Sequence, residues 1–274
     1  MGLRVNTNVA SLDAQRNLAN TTDQLNKSLA RLSSGLRITR AADDAAGLAI
    51  SERFRAEIAS LGQAQRNAND GVSLLQVAEG ALNETSGILV RLRELAVESA
   101  NGTLGSGERA TLNDEFQAQI KEISRIAAVT SFNGTQVINN SGASVTFQVG
   151  VNNTTNDQIT VTGVNATATG IGVNTLDIST VTGAQSALAV LDSAVNQVAS
   201  LRAQFGSAQN RLESAIRSIA VAIENTSAAE SRIRDVDVAS ETANLTRQQV
   251  LQQAGISVLA QANVSTQAAL KLLQ

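Results

Sequence analysis

Cysteine, histidine, proline, tryptophan and tyrosine are all missing from this sequence. Without cysteine and histidine there is no thiol nucleophile, no imidazole base, no Cys/His zinc site and no HExxH helix. The lack of cysteine carries no signal of redox compartment, but it fits a chain that never relies on a disulfide. The lack of proline removes slow prolyl isomerisation from folding, which suits a chain that travels unfolded and folds afterwards. Aromatics are 2% of the residues, all phenylalanine, a poor basis for a stacking nucleic-acid platform. Net charge is −3 with no block of like charge, so there is no basic nucleic-acid footprint. No apolar run approaches a membrane span, and membrane insertion is not expected. Residues 1–8 lack the apolar stretch of a secretory signal, and Asn6 stands where a myristoylation pattern needs Ser or Thr. The expectation is a cytosolic protein, or one exported by a route that does not use such a signal.

What is present is alanine, leucine, isoleucine and valine at helical spacing. Hydrophobic residues make up 43% of the chain, much of it alanine, which lets helix backbones approach closely. At the C-terminal end Leu251, Ala254, Val258, Ala262, Ala269 and Leu273 advance mostly by three, four or seven. At the N-terminal end Val5, Val9 and Leu12 form a short stripe, and Leu18, Leu25, Leu29, Leu32 and Leu36 a longer one. Such spacing lines one face of a helix, and one amphipathic helix has nowhere to bury that face alone. Two readings follow: both ends are core helices of an ordinary bundle, or the termini bury their faces against other molecules in a polymer.

Taken in order, residues 1–36 read as a helix, and Arg37 to Asp43 as a connector. Asp43 and Asp44 then supply an N-cap and a first-turn negative charge. The helical period persists from Ala45 to about Ala100, a length of roughly 80 Å at the helical rise. Ser106 is the expected N-cap of a shorter helix carrying Leu112, Phe116, Ile120, Ile123 and Ala127. Residues 131–183 are rich in Asn, Thr, Ser and Gly. Within them Val145, Phe147, Val149 and Val151 alternate, as do Ile159 and Val161, which predicts a β-hairpin. The insert holds too few apolar residues for a large core of its own and reads as a small flap on the helices. A capping box at Thr182–Gln185 opens a third long helix to about Ser231. Residues Ile233–Asp237 form a second connector, and a terminal helix follows. The fold class is therefore mainly α: a long antiparallel, coiled-coil-like rod with a small β-hairpin region, both termini paired as helices at one end.

Several ordered motifs resemble bacterial flagellin: Leu32–Ile38, Asp43–Gly47, Arg66–Gly71, Glu79–Leu82, Arg93–Val97, Phe132–Gly134, Leu251–Gly255 and Leu259–Asn263. The similarity covers about residues 1–140 and 184–274, and the short middle suggests a form without large outer domains. The resemblance implies a structural subunit of the extracellular flagellar filament, with no enzymatic activity and no cofactor. It implies inner filament-core segments at 1–43 and 231–274, a region of rod helices and flap at 44–183, and a returning rod helix at 184–230. Assembly contacts in the core would fall on Leu25, Leu29, Leu32, Leu36, Leu251, Val258, Leu259, Leu270 and Leu273. Export unfolded through the flagellar type III route, a chaperone on the C-terminal helix, and hook-junction and cap proteins as partners are further implications. Positions matching the family's contacts with a vertebrate Toll-like receptor are Arg91, Leu95 and Glu115; solvated charges and an interhelix contact explain the same three equally well. The hook–filament junction protein, which has similar termini, is the neighbouring alternative.

The enzyme reading is weak, since the Asp43/Asp44 pair sits where capping is expected. Asn133-Gly134-Thr135 and Asn165-Ala166-Thr167 are weak sequons, and O-glycosylation at Thr154, Thr155, Thr167 or Thr169 fits this family better. The family often carries a proline near the C-terminal end, where this chain has Val264-Ser265-Thr266-Gln267, so a continuous helix to Leu273 is expected.

Overall fold

The computed structural model describes residues 7–139, 142 and 144–271. Its helices are α1 (Val9–Ser34), α2 (Ala45–Ser99), α3 (Ser106–Val129), α4 (Val181–Arg234) and α5 (Val238–Lys271). Four short strands lie between α3 and α4: β1 (Ser131–Phe132), β2 (Thr135–Gln136), β3 (Ser144–Gln148) and β4 (Gln158–Thr162). The mainly α class with a small antiparallel hairpin is therefore as expected. The chain divides into two compact units, one of residues 1–56 with 225–274, the other of residues 57–224.

The second unit is held by heptads. Along α2, Leu61, Ala68, Leu75, Leu82, Leu89 and Ala96 are buried at steps of seven. A parallel row of smaller residues, Ala64, Gly71, Ala78, Thr85, Leu92 and Ser99, is buried beside it. On α4, Ala184, Leu191, Val198, Phe205, Leu212 and Ile219 repeat the same step, and Phe116, Ile120, Ile123 and Ala127 of α3 join the core. A repeat of seven, slightly under the natural pitch, keeps the seams facing through a left-handed supercoil. The polar members are satisfied: the Thr85 hydroxyl donates to the Ala81 carbonyl at 3.0 Å and that of Ser99 to Ile178 at 2.5 Å.

The insert is part of this core and not a cover on it. Eleven of its apolar residues are buried, from Val137 to Ile178. Strands β3 and β4 pair antiparallel with Val145 opposite Val161 and Phe147 opposite Ile159. Phe147 and Leu212 both come close to Gly71, where a Cβ would lie 3.1 Å from each. The stretch 163–178, which carries no hairpin signal, contributes Val164, Ala166, Ala168, Ile171, Val173 and Ile178. It is laced on by Gln117 Nε2, which donates to the Leu176 carbonyl, and by Asn113 Oδ1, which accepts from the Ile178 amide. A second hairpin joins β1 to β2 through Asn133 and Gly134, both at positive φ (48° and 78°), the geometry a two-residue turn demands.

Three caps differ from expectation. Asp44, not Asp43, caps α2, its Oδ1 accepting from the Gly47 amide at 2.8 Å. Helix α3 starts at Ser106 with Gly105 as its N-cap. Helix α4 begins at Val181, one residue before Thr182, because Thr180 Oγ1 takes the Gly183 amide and Thr180 O the Ala184 amide. Asp44 and Thr180 cap through side-chain oxygens beside the expected residues, whereas Gly105 caps α3 without a side-chain hydrogen bond, choices that residue type alone leaves open.

Candidate assembly surface on the terminal helices

In the first unit α1 and α5 pair antiparallel. Asn8 caps α1 through Ser11 N (3.1 Å) and reaches across to the Ala262 carbonyl (2.9 Å). Ser11 Oγ donates to Asn263 Oδ1 at 2.9 Å, Gln252 Nε2 to Thr22 Oγ1 at 3.4 Å, and Gln248 Nε2 to Gln24 Oε1 at 2.8 Å. At the far end Arg31 Nη1 stands 3.9 Å from Glu241 Oε2. Gly255 faces Leu18, and a Cβ at 255 would lie 4.0 Å from that of Leu18.

The two connectors are stitched together at the same end of the pair. Gly35 (φ 72°) closes α1 in the left-handed conformation that glycine tolerates. Beyond it the Arg37 amide donates to the Arg234 carbonyl at 2.7 Å and the Val236 amide to Gly35 at 3.0 Å. The Arg37 guanidinium donates twice to the Ile233 carbonyl, covering a carbonyl of the last turn of α4. Arg234 in turn donates to Glu52 Oε1 at 2.7 Å and holds that carboxyl below its usual range. Asp43 turns inward on the connector: the Thr39 hydroxyl, then the Arg40 and Thr39 amides, donate to it and lower its pKa. Both carboxylates of the Asp43/Asp44 pair are thus bound to backbone and hydroxyl donors, as capping requires.

What this unit does not do is bury its apolar residues. Among the described residues only Ala14 and Ile38 of its apolar side chains are buried. Leu29 is 47% exposed, Leu251 48% and Val258 59%. Leu25, Leu32, Leu36 and Leu259 are half-buried. Leu270 lies within α5, and Leu273 lies outside the described residues. The exposed set also includes Val250 and Ile256, which a single-stripe reading of α5 passes over. The helix carries apolar residues around most of its circumference, so no one stripe captures them. Helix α5 runs on through Val264 without a break, as the missing proline suggests.

The remaining candidates lie in the second unit. Arg91 Nε and Nη2 donate to Glu115 Oε1 at 3.0 and 2.8 Å, and Nη1 donates to Glu94. The Glu115 bond, then the Glu94 bond, raises the Arg91 pKa further. Leu95 is fully buried in the core, the interhelix contact that explains it without a receptor. Thr154, Thr155 and Thr169 are exposed, whereas the Thr167 hydroxyl is occupied by Asn165 Oδ1 and the Gly170 amide. Among the described residues no cluster of acidic side chains is placed to hold a metal ion. Among the same residues no helix is long and apolar enough to cross a membrane.

The chain matches known proteins at both of its ends. Residues 5–143 match the family model of the bacterial flagellin N-terminal helical region, and residues 188–273 that of the C-terminal helical region. A flagellin of Halalkalibacterium halodurans is 46% identical over 98% of this chain and 99% of its own. The flagellin of Bacillus subtilis strain 168 is 40% identical over 99% of this chain and 100% of its own. Among solved structures, the crystal structure of Bacillus cereus flagellin superposes with a TM-score of 0.51 at 30% identity, covering 56% of this chain and 88% of that one.

Proposed function

The chain belongs to the bacterial flagellin family, and from that premise we propose how its two units divide the work of the flagellar filament. As a flagellin it is a structural subunit that polymerises into the extracellular filament, and it is not an enzyme. Residues 1–43 and 231–274 form the inner layer of the filament, and residues 44–230 form the surrounding layer. In the inner layer Leu25, Leu29, Leu32, Leu36, Leu251, Val258, Leu259, Leu270 and Leu273 pack against neighbouring copies. The observation that carries this is the contrast in burial: the first unit leaves Leu29, Leu251 and Val258 in solvent, while the second closes its core within itself. Apolar faces of that extent mark an interaction surface, and repeated head-to-tail contacts between identical chains give a helical fibre.

Membership of the flagellin family supports the export reading. The subunit leaves the cell unfolded by the type III route, with a chaperone covering α5 until then, and meets hook-junction and cap proteins at the growing structure. The matched receptor positions support contact with a vertebrate Toll-like receptor through Arg91 and Glu115, whose ion pair lies on the surface. Leu95 would then act by holding α2 in place from within the core. Glycosylation, where it occurs, falls on the exposed Thr154, Thr155 or Thr169.

The test is seeded polymerisation of the purified chain beside a chain lacking residues 241–274, watched by negative-stain electron microscopy. Filaments from the full chain and none from the truncation are expected. A full chain that stays monomeric on seeds points to a junction or accessory subunit instead, and a truncation that polymerises equally well removes the terminal helices from the account.

A further inference from the structure

The seam between α1 and α5 repeats every seven residues, and a strict repeat of that kind does not by itself fix a register. On α1 the positions turned from solvent include Ser11, Leu18, Leu25 and Leu32, seven apart; on α5 they include Glu241, Gln248, Gly255 and Ala262, also seven apart. Sliding one helix by a heptad again brings positions of these two rows opposite one another, with Leu25 facing Gly255 in place of Leu18. Apolar contacts are non-directional and tolerate the slide. Hydrogen bonds are not: they need a donor opposite an acceptor within about 3 Å.

The seam is unusually polar for a pair of helices that must hold together. Ser11, Ser28 and Glu241 are its buried polar residues, and Thr22, Gln24, Gln248 and Gln252 bond across it. The cross-helix contacts advance along α1 as they retreat along α5: Ser11 to Asn263, Thr22 to Gln252, Gln24 to Gln248, Arg31 to Glu241. A slide of one heptad destroys every one of them. It sets Glu241 against Gln24, or past the end of α1 at Ser34, and it sets Gln252 against Gln15 or Leu29. A polar residue in a coiled-coil seam weakens it but selects one register.

We infer that the polar contacts of Thr22, Gln24, Arg31, Glu241, Gln248 and Gln252, and not the apolar residues of the seam, set the register of α1 on α5, and so decide which apolar side chains the pair turns outward toward a second copy. The outward consequence rests on the filament reading; the register does not. Thr22, Gln24, Arg31, Glu241, Gln248 and Gln252 are positioning residues. The selectivity comes from matching partners, so Arg31 and Glu241 are interchangeable as a pair and not singly.

The absence of cysteine makes the register directly readable, since any introduced pair reports without background. Leu18→Cys with Gly255→Cys reports the register described here, because their Cβ atoms would stand 4.0 Å apart, within disulfide reach. Leu18→Cys with Ala262→Cys, and Thr21→Cys with Leu245→Cys, report slides of one heptad in the two directions. Each pair is placed in the full-length chain and oxidised, both in the soluble protein and in seeded polymer. Intramolecular products are separated from dimers by electrophoresis.

With the polar contacts intact, crosslinking is expected at the first pair and at neither slid pair. In a chain carrying Thr22→Val, Gln24→Met, Arg31→Met, Glu241→Met, Gln248→Met and Gln252→Met, the slid products rise by about tenfold or more. Arg31→Glu alone raises them as well, and Arg31→Glu with Glu241→Arg returns them to the parental level. The inference is overturned if the six-fold variant crosslinks only at the first pair, or if Arg31→Glu leaves the pattern unchanged. It is equally overturned if the six-fold variant crosslinks at no pair, because the polar residues would then be needed for pairing itself and not for its register. Because the soluble chain is read separately, a failure of polymerisation does not obscure the result.

Discussion

Of the thirty-seven apolar residues buried among those described, thirty-five lie in the unit of residues 57–224 and two in the unit that holds the termini. Both units are built from helices with heptad seams, so the difference is not one of secondary structure. It lies in what fills the seam. Along α2 and α4 the positions are mostly Leu, Ala, Val and Phe, with Thr85 bonded to its own helix and Ser99 to the Ile178 carbonyl. Along α1 and α5 Ser, Thr, Gln and Glu share the seam with half-buried leucines such as Leu18 and Leu25, while Leu29, Leu251 and Val258 point outward. The first arrangement closes a core within one chain. The second saves its apolar surface for something else and spends polar contacts on holding two helices together. A chain read only by its hydrophobic content would rank the two units as equals.

The largest break in this comparison comes from charging the outward face. Leu251→Asp with Val258→Asp places two carboxylates where neighbouring copies would bury them, and an unpaired buried carboxylate costs several kcal/mol, so elongation from seeds falls at least about a hundredfold. Both residues are exposed in the single chain, so thermal unfolding of the soluble protein should move by less than about 0.5 kcal/mol. Elongation at the parental rate would make these residues ordinary surface. Leu92→Ala is the mirror experiment. That side chain is fully buried on the α2 seam, and its truncation should cost about 2–5 kcal/mol of stability in a denaturant titration. Because Leu92 faces inward, whatever chain remains folded should still elongate. A midpoint that does not move would mean the second unit's core is looser than its burial indicates.

Gly71→Ala sharpens the point at one position. The added methyl would stand 3.1 Å from both Leu212 and Phe147, tighter than ordinary contact. Overpacking of this sort costs about 1–3 kcal/mol. The loss should be relieved by Phe147→Leu in the same chain, since the crowding ring is then gone; additive losses would place the strain elsewhere.

The sequence carried the helices, the β3–β4 hairpin and the two connectors, because period and turn chemistry encode those locally, although the alternation at Val149 and Val151 runs past the end of β3. Strict alternation at Val145, Phe147, Ile159 and Val161 needs no knowledge of the rest of the fold. The second seam row of α2 was harder to see. Gly71, Ala78, Thr85 and Ser99 are small or polar, and their burial is decided by how closely the β-hairpin and α4 approach. Residues 163–178 show neither helical nor strand period, yet they supply six buried side chains, since an irregular segment packs by shape. On the terminal helices the leucines at 25, 29, 32 and 36 stood out, but their division into half-buried and exposed could not. That division depends on which face α5 covers, and the polar residues that place α5 look like solvent-facing residues when read from sequence. Leu95 shows the same limit from the other side, since its match to a contact motif said nothing about its full burial.

The smallest expected effect separates the two units by pH. Arg234 holds the Glu52 carboxyl below its ordinary value, and the Thr39 hydroxyl does the same for Asp43. A carboxyl whose folded pKa lies below the unfolded one, about 4 for these residue types, adds stability that is complete above the unfolded value and is lost as pH falls through the folded one. Glu52 is exposed and Asp43 only half-buried, so the contribution is modest and screened by salt. It should nonetheless be local. Acidification below about pH 4 should lower hydrogen-exchange protection of the Arg37 and Val236 amides, which stitch the connectors together. The Ala166 amide, which donates to Ile138 inside the second unit, should keep its protection over the same range. Glu52→Gln should flatten the acid response at Arg37 and Val236 while leaving Ala166 as it was. If all three amides lose protection together, acid is acting on the chain as a whole, and the connectors are no more sensitive than the core.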